Sequence, residues 1–350
     1  MTSFDPSAAA LPGSGLYGLP HGPEEAAVHV QAVPFDATTS YRRGTASGPE
    51  AVVAASHQVD LFDLVNGRPY EAGIHLLEVD GRIAGWNEEA TRAACPVIEA
   101  GGVHDGRPEL VRSAAEVDRI SSELGDAVRA RTSEMLAAGK LPVLLGGDHA
   151  TPFGAIAACL ERHPGAGILH VDAHADLRIA YEGFRWSHAS ILHNVVHELG
   201  PEHVVQVGIR DLCEEEHEAI RSSDGRISTL YDHEWAAVRL RGGDLSALAR
   251  QHLSTLPDEV YITFDVDGLD PTLCPNTGTP VPGGLLWDEA MLLLEELVGS
   301  GRRIIGLDLV EVGPGGTPDP EGQSWDAIVG ARLLYRLIGA ALRSRSGGAS

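Results

Sequence analysis

Three short stretches concentrate residues that bind cations. Asp148-His149 follows the apolar run LPVLLGG (141–147), Asp172, His174 and Asp176 alternate through LHVDAHAD (169–176), and Asp265 and Asp267 close EVYITFDVD (259–267). In extended backbone, residues i, i+2 and i+4 project from one side. The spacing therefore predicts that Asp172, His174 and Asp176 converge, and that Asp265 and Asp267 do the same. Like charges a few ångströms apart and away from water repel strongly, and a bound cation is the natural compensation. Each stretch alone has a plainer reading, because Asp at a strand end is also a turn former. Together, His149, Asp172, His174, Asp176, Asp265 and Asp267 make two imidazoles and four carboxylates, and four negative charges balance two divalent ions. With no thiolate in the set, Mn²⁺ or a similar hard or borderline ion is expected rather than structural zinc. Two ions roughly 3.5–4 Å apart can hold a bridging water and lower its pKa to about 7, which makes a hydroxide nucleophile at neutral pH.

Such residues meet only if regular elements carry them to one place. The runs HVQAVPF (29–35), LPVLLGG (141–147), GILHVD (167–172), HVVQVGI (203–209), EVYITFDVD (259–267) and RRIIGLDLVEV (302–312) read as strands. Helical patterns lie between them at Pro108 to Ala138, Pro152 to Arg162, Leu245 to Leu256, Leu286 to Val298 and Ser324 to Arg343. Near-continuous apolar strands interleaved with helices predict an α/β fold, a mainly parallel sheet covered on both faces. In such folds ligands sit outside the carboxyl ends of the strands, where all three stretches fall. Residues 1–20 are expected to form a loose, flexible tail, RSRSGGAS (343–350) another, and 21–345 a single catalytic domain. The segment from Val65 to Val103 has weak periodicity and is expected to be a cap or an irregular insertion.

Composition narrows the partners. The chain has 350 residues, 43% hydrophobic and 22% charged, with a formal charge of −24. No basic surface is available to neutralise phosphates, which excludes nucleic acid and anionic membranes. A negative field raises the local concentration of a cationic small substrate, and it also keeps a protein soluble. Cys95, Cys159, Cys213 and Cys274 form no Cys-x-x-Cys pair, consistent with a reduced cytoplasmic protein. The N-terminus lacks the basic and apolar regions of a signal peptide, and no run of about 18 apolar residues exists to span a membrane.

Taken together, Gly146-Gly147-Asp148-His149-Ala150, Asp172-Ala173-His174-Ala175-Asp176, Ser187-His188-Ala189-Ser190, Phe264-Asp265-Val266-Asp267-Gly268-Leu269-Asp270-Pro271, NTGTPVPGG (276–284) and Leu309-Val310-Glu311-Val312 resemble the ureohydrolase family of arginase, agmatinase and related guanidino-compound hydrolases. SYRRGTASGPEAV (40–52) is similar to the family's early Gly-rich stretch, and the resemblance spans about residues 28 to 340. It implies an arginase-like three-layer α/β/α sandwich and a binuclear manganese site. His149, Asp172, Asp176 and Asp265 would surround one ion and Asp172, His174, Asp265 and Asp267 the other, with Asp172 and Asp265 bridging. His188 matches the family's proton-transfer histidine, and Glu311 the acid that binds the guanidinium. Two departures stand out. Glu311-Val312-Gly313-Pro314 replaces the frequent Glu-x-Asn-Pro, and His188-Ala189-Ser190 replaces His-Gly-Thr. The second occurs in agmatinase-like members and bears on substrate rather than catalysis. Members are usually trimers or hexamers, so a homo-oligomer is implied.

The chemistry this implies is attack of hydroxide on a guanidinium carbon, yielding urea and an amine. Glu311 would hold the planar, donor-rich cation bidentately. The metals and Asp176 would steady the tetrahedral intermediate, and His188 would pass a proton to the leaving amine. Trp186 is a candidate to stack on the guanidinium, with plain packing as the alternative. An agmatine-like substrate is favoured. Free guanidine, with Ni²⁺ as the metal, and guanidino acids are rivals, as are a zinc deacetylase on the same fold and a catalytically silent binding protein. Other signals carry less. Gly13-Ser14-Gly15-Leu16-Tyr17-Gly18 has no strand before it and Pro20 after it, which rejects a dinucleotide loop. His193 and His197 share a helix face without a His-Glu-x-x-His order, and Glu214-Glu215-Glu216-His217-Glu218 reads as an acidic helix start.

Overall fold

The computed structural model describes residues 4–11, 13–103, 107–315 and 321–346. Eight strands, β1 (Val28–Val33), β2 (Ile74–Leu76), β3 (Leu141–Gly146), β4 (Gly167–Val171), β5 (Val204–Ile209), β6 (Ile227–Tyr231), β7 (Glu259–Asp265) and β8 (Arg303–Val310), form one sheet. Its order is β2-β1-β3-β8-β7-β4-β5-β6, and every pairing is parallel. Parallel neighbours need crossovers, and helices supply them. These are α1 (Gly48–Ser56), α2 (Ile83–Glu99), α3 (Pro108–Ala137), α4 (Phe153–Arg162), the single turn α5 (Ile191–Asn194), α6 (Glu214–Arg221), α7 (Asp232–Leu240), α8 (Leu245–Leu253), α9 (Trp287–Gly299) and α10 (Trp325–Arg345).

The strands bury both faces, and β3 shows how. Val143 and Leu145 point into one core with Leu333 and Leu337 of α10, while Leu144 between them points into another with Ile120 and Leu124 of α3. Period-two alternation thus sends successive apolar side chains into opposite layers. Each leucine so buried contributes about 1.5–3 kcal/mol relative to exposure. The result is the expected three-layer α/β/α sandwich. Local signals agree with it: Pro108 stands in the first turn of α3, and the Asp244 and Ser324 side chains accept from Ala247 N and Ala327 N at the starts of α8 and α10. Glu216 of α6, within the acidic run, accepts from the backbone N–H of Cys213.

Three expectations about organisation change. The inner end of the supposed N-terminal tail is part of the core: Leu16, Tyr17 and Leu19 are buried, and the Tyr17 hydroxyl donates to the Ala331 carbonyl at 3.0 Å. Their sparse apolar side chains find a wall in α1 and α10 that the local sequence does not announce. Residues 65–103 contain β2 and the seventeen-residue α2 rather than an irregular insertion. Pro96 inside α2 and the helix's largely polar outer face blur its periodicity. At the other end, α10 continues through Arg345, so the first part of RSRSGGAS is helical, while residues 347–350 lie outside the described residues. Among the described residues no helix is long and apolar enough to cross a membrane.

Candidate metal centre

The four central strands, in the order β3-β8-β7-β4, all end on the same side of the sheet. His149 lies just beyond β3, Glu311 directly after β8, Asp265 at the end of β7 and Asp172 directly after β4. Adjacent strands are about 4.8 Å apart, so this topology brings the four groups together at or just past the strand ends, His149 on the turn that follows β3.

The cluster has two lobes that share Asp172. In the first, His149 Nδ1 is 2.9 Å from Asp172 Oδ2, 3.2 Å from Asp176 Oδ2 and 3.3 Å from Asp265 Oδ2. In the second, His174 Nδ1 is 3.4 Å from Asp172 Oδ1 and 3.2 Å from Asp267 Oδ2. All six residues named from the sequence are therefore brought together. The route differs from simple strand alternation. Asp176 turns into the left-handed region at φ 54°, and Asp267 sits in a 3-10 turn at 266–268 where its N–H donates to Asp265 Oδ1 at 2.8 Å. A left-handed non-glycine residue stores strain that surrounding structure must hold, and Glu311, at φ 62°, is a second one in the same centre.

Hydrogen bonds around the cluster decide which atoms face inward. Thr263 Oγ1 donates to Asp308 Oδ1 at 2.9 Å, so its oxygen is left to accept from His149 Nε2, also 2.9 Å away. That puts the proton of a neutral His149 on Nε2 and its lone pair on Nδ1, which has no hydrogen-bond partner of its own. With His149 neutral, one lone pair and three carboxylate oxygens converge with no proton to share; a proton on Nδ1 relieves this in part, and a divalent cation can meet all four atoms. On the far side, Gln206 Nε2 donates to the Ala175 carbonyl and to His170 Nδ1, while its Oε1 accepts from Thr229. His170 therefore offers Nε2–H to Asp172 Oδ2 at 2.8 Å. A donor atom of His170 lies within 4.8 Å of donor atoms of His149, Asp172 and Asp176, but this bond makes it a holder of Asp172 rather than a ligand. Thr263, Asp308, Gln206 and His170 were not foreseen from the sequence. Only the alternation His170, Asp172, His174 hinted at one of them.

The electrostatics match. Burial alone would lower the His149 pKa, yet Asp172, Asp176 and Asp265 together hold it well above the imidazole range. Burial opposes charge on His174 too, and Asp267 and Asp172 outweigh it. Burial and the neighbouring Asp172 push Asp176 up to about 7, and burial with Asp267 and Asp172 raises Asp265 well above the carboxylate range. Asp172 goes the other way: burial would raise it, but His170, His149 and His174 hold it well below the carboxylate range. One ionised carboxylate, two that resist ionising and two imidazoles that hold a proton are what a cation site looks like when protons stand in for the ions.

Glu311 reaches the centre from β8. Its Oε1 accepts from His149 N–H at 3.0 Å, and its buried Oε2 has no partner. Burial and the charges of Asp265 and Asp148 raise its pKa well above the usual value. A Cβ built on Gly278 would come within 3.0 Å of that free oxygen, so glycine keeps the space beside it open. Gly313, where the sequence departs from Glu-x-Asn-Pro, has its own cause: a Cβ there would stand 2.1 Å from the Asn276 carbonyl oxygen.

A cleft of about 270 Å³ opens onto the cluster, lined by His174, Asp176 and His188 and further out by Tyr41, Asp211 and Val281. His188 is thus placed beside the candidate metal-binding residues His174 and Asp176. Trp186 is not: its N–H is fixed to Asp118 at 3.1 Å, its ring meets Phe153 edge-on at 4.8 Å, and it lines a separate cavity between α3 and α4. The stacking role expected for Trp186 is therefore replaced by packing. His193 and His197 also stay away from the centre, their rings tilted by 41° with centroids 4.3 Å apart.

Residues 26–339 match the arginase family. This chain belongs to the arginase family. Enzymes of this family use a binuclear metal site, and the two lobes around Asp172 are this chain's counterpart. The arginase-family chain is 33% identical over 317 residues, 90% of each chain, to an N(1)-aminopropylagmatine ureohydrolase of Thermus thermophilus. It is 32% identical to an agmatinase of Proteus mirabilis, over 81% of this chain and 79% of that one. In three dimensions it resembles the agmatine ureohydrolase of Thermoplasma volcanium, with a TM-score of 0.70, 25% identity and 94% of each chain covered.

Proposed function

We propose that the protein hydrolyses a linear guanidino amine of the agmatine type, using Mn²⁺, with Ni²⁺ as the alternative ion. Family membership makes it a metal-dependent hydrolase of a C–N bond in a guanidino compound, with urea as a product. The substrate reading rests on one observation: the cleft that holds the cation cluster at its inner end carries an unengaged carboxylate further out. Asp211 is exposed and has no ion-pair partner among the described residues. Its backbone pairs with that of His174, which places it next to the cluster. The one arginine in the cleft, Arg178, is already occupied, with Nε 3.6 Å from Glu216 Oε2 and its guanidinium over the Tyr181 ring at 5.0 Å. A guanidinium held inside and an ammonium held outside suit an α,ω-guanidino amine; a guanidino acid would set its carboxylate against Asp211. The Thermus and Proteus relatives, named for aminopropylagmatine and agmatine, support this reading.

Two divalent cations in the two lobes would supply a water acidic enough to attack at neutral pH. The remaining steps fall to the chain. Glu311 Oε2, unpartnered and with space left open by Gly278, accepts from the guanidinium and orients its carbon. Asp176, which faces both cluster and cleft, steadies the substrate nitrogens as the carbon becomes tetrahedral. Burial, with the charges of His174 and His149, lowers the His188 pKa to about 4. His188 therefore meets the substrate neutral: it takes a proton before it gives one to the leaving amine. The proposal extends to one catalytic domain, 21–345 with the buried Leu16, Tyr17 and Leu19 packed onto it, and to a cytoplasmic homo-oligomer, a trimer or hexamer; the exposed Leu64 and Leu240 are apolar surface for such contacts.

Urea release from agmatine, N(1)-aminopropylagmatine, guanidinobutyrate, arginine and guanidine, each with Mn²⁺ or Ni²⁺, tests the proposal. The guanidino amines should give the highest kcat/KM. Faster turnover of guanidinobutyrate or of free guanidine would overturn the substrate reading.

A further inference from the structure

His188 is held by a residue outside the cluster. Thr38 lies on the loop after β1, is fully buried, and its Oγ1 donates to Asp148 Oδ2 at 2.9 Å. The Thr38 N–H donates to the same carboxylate oxygen at 3.2 Å, and Ala150 N–H donates to Asp148 Oδ1, also at 3.2 Å. A hydroxyl has one proton, and with Asp148 ionised this one is committed to its carboxylate, so the Thr38 oxygen then only accepts. It accepts from the His188 backbone N–H at 3.1 Å and faces His188 Nδ1 at 3.4 Å. Ser187 Oγ lies equally far from Nδ1, at 3.4 Å, and accepts from Ala189 N–H. Ser187 can turn its hydroxyl either way, whereas Thr38 cannot. An Nδ1 proton is therefore shared by two acceptors, while an Nδ1 lone pair would confront the Thr38 oxygen.

We propose that Thr38, fixed by Asp148, is a positioning residue that holds His188 in the tautomer with Nδ1 protonated and the Nε2 lone pair turned to the cleft. The step Asp148-His149 at the end of β3 then serves two purposes. His149 enters the cation cluster, and Asp148, through Thr38, sets the ring that moves the proton. In the neutral state His188 accepts at Nε2, and once charged it donates from the same atom. The inference rests on the proton-transfer role given to His188 above.

Nitrogen-15 histidine NMR of the wild-type protein should place the His188 proton on Nδ1, a result independent of turnover. The proposal also predicts a split between variants. Thr38→Val should lower kcat for agmatine about 10–100-fold, a part of the range that positioned acid–base groups supply. KM and metal content should stay within about twofold. Thr38→Ser, which restores the hydroxyl, should recover most of kcat, and Ser187→Ala should change it little. A wild-type proton on Nε2, or a Thr38→Ser variant as slow as Thr38→Val, would overturn the inference even if Thr38→Val fails to fold. His188→Ala separates the two claims. Full activity there removes the proton-transfer role itself, whereas loss in His188→Ala with none in Thr38→Val removes only the part given to Thr38.

Discussion

The inner and outer halves of the cleft are built on different principles. The inner half stands on the ends of four neighbouring strands, and its ligands have their orientation set by a buried partner: Thr263 for His149, His170 for Asp172, the Asp267 N–H for Asp265. The outer half is carried by loops. Tyr41 is exposed, Asp211 has no ion partner among the described residues, and Arg178 is held by a single acid. A floor of this kind tolerates little change, because all its groups but the half-buried His174 are buried and each answers to several others. A wall of this kind can change with little effect on the fold, since exposed loop residues contribute little to stability. The reaction is thus set by the floor and its preferred substrate by the wall, and substitutions can test the division.

The floor should show the largest effect. Asp172 touches both lobes, through Oδ2 to His149 and Oδ1 to His174. Asp172→Ala should remove bound metal and turnover together, with metal content measured by mass spectrometry after loading. Retention of two ions per chain would mean that the lobes do not share this residue, and the proposed centre would have to be redrawn.

His188 stands at the boundary between the halves. His188→Ala should lower kcat roughly 10²–10⁴-fold, the range of general acid–base catalysis, while both ions stay bound, because His188 contributes no atom to either lobe. Equal loss of metal in this variant would move His188 from proton transfer to the floor.

The same division marks what can be read from the sequence. The ligands are legible because short acidic and imidazole side chains follow apolar runs, where nothing in a core explains them. Their holders are not. Thr263 and Asp308 lie inside runs that read as plain strands, and they face each other only because β7 pairs with β8 in that register. Gln206 meets His170 through the β4–β5 pairing. Strand order is a long-range property that local periodicity does not carry, so a residue whose meaning depends on its neighbour strand stays hidden. Thr38 and Asp211 are hidden for another reason, since polar residues on loops are expected everywhere. Trp186 misled because nearness in sequence to His188 is not nearness in space: the backbone turns between them and sends the ring to α4.

The floor also makes a prediction about pH. Between about pH 6.5 and 8.5 the metal-free fold holds more protons than the unfolded chain. Burial holds Asp148 and Asp176 up to about 7 and, with neighbouring carboxylates, raises Asp265 and Glu311 well above the carboxylate range, while His149 and His174 stay protonated above the usual imidazole value. Both kinds of shift have the same sign: stability is lost as pH rises through the folded pKa. His188 and His170, like His29, His193 and His252, have lowered pKa values and act in the opposite sense, an effect that fades above about 6.5 as the unfolded imidazoles lose their protons. The metal-free protein should therefore melt lower at pH 8.5 than at pH 6.5, by roughly 2 °C or more. Mn²⁺ should raise the melting temperature further at the higher pH, since ligands must lose protons to bind it. A metal-free melting temperature that rises across this window would contradict a floor of crowded carboxylates.

The wall should show the smallest effect, and a selective one. Asp211 is exposed, so its attraction to a distal ammonium is screened by water and resembles a surface ion pair, worth about 0.2–1 kcal/mol. Asp211→Asn should raise KM for agmatine by about two- to fivefold, leave kcat and metal content near wild type, and leave free guanidine, which has no tail, unaffected. Added salt should shrink the difference between the two proteins, because screening acts on this contact and not on the buried floor. If guanidine lost as much as agmatine, Asp211 would be acting on His174, its backbone neighbour, and the carboxylate would belong to the floor after all.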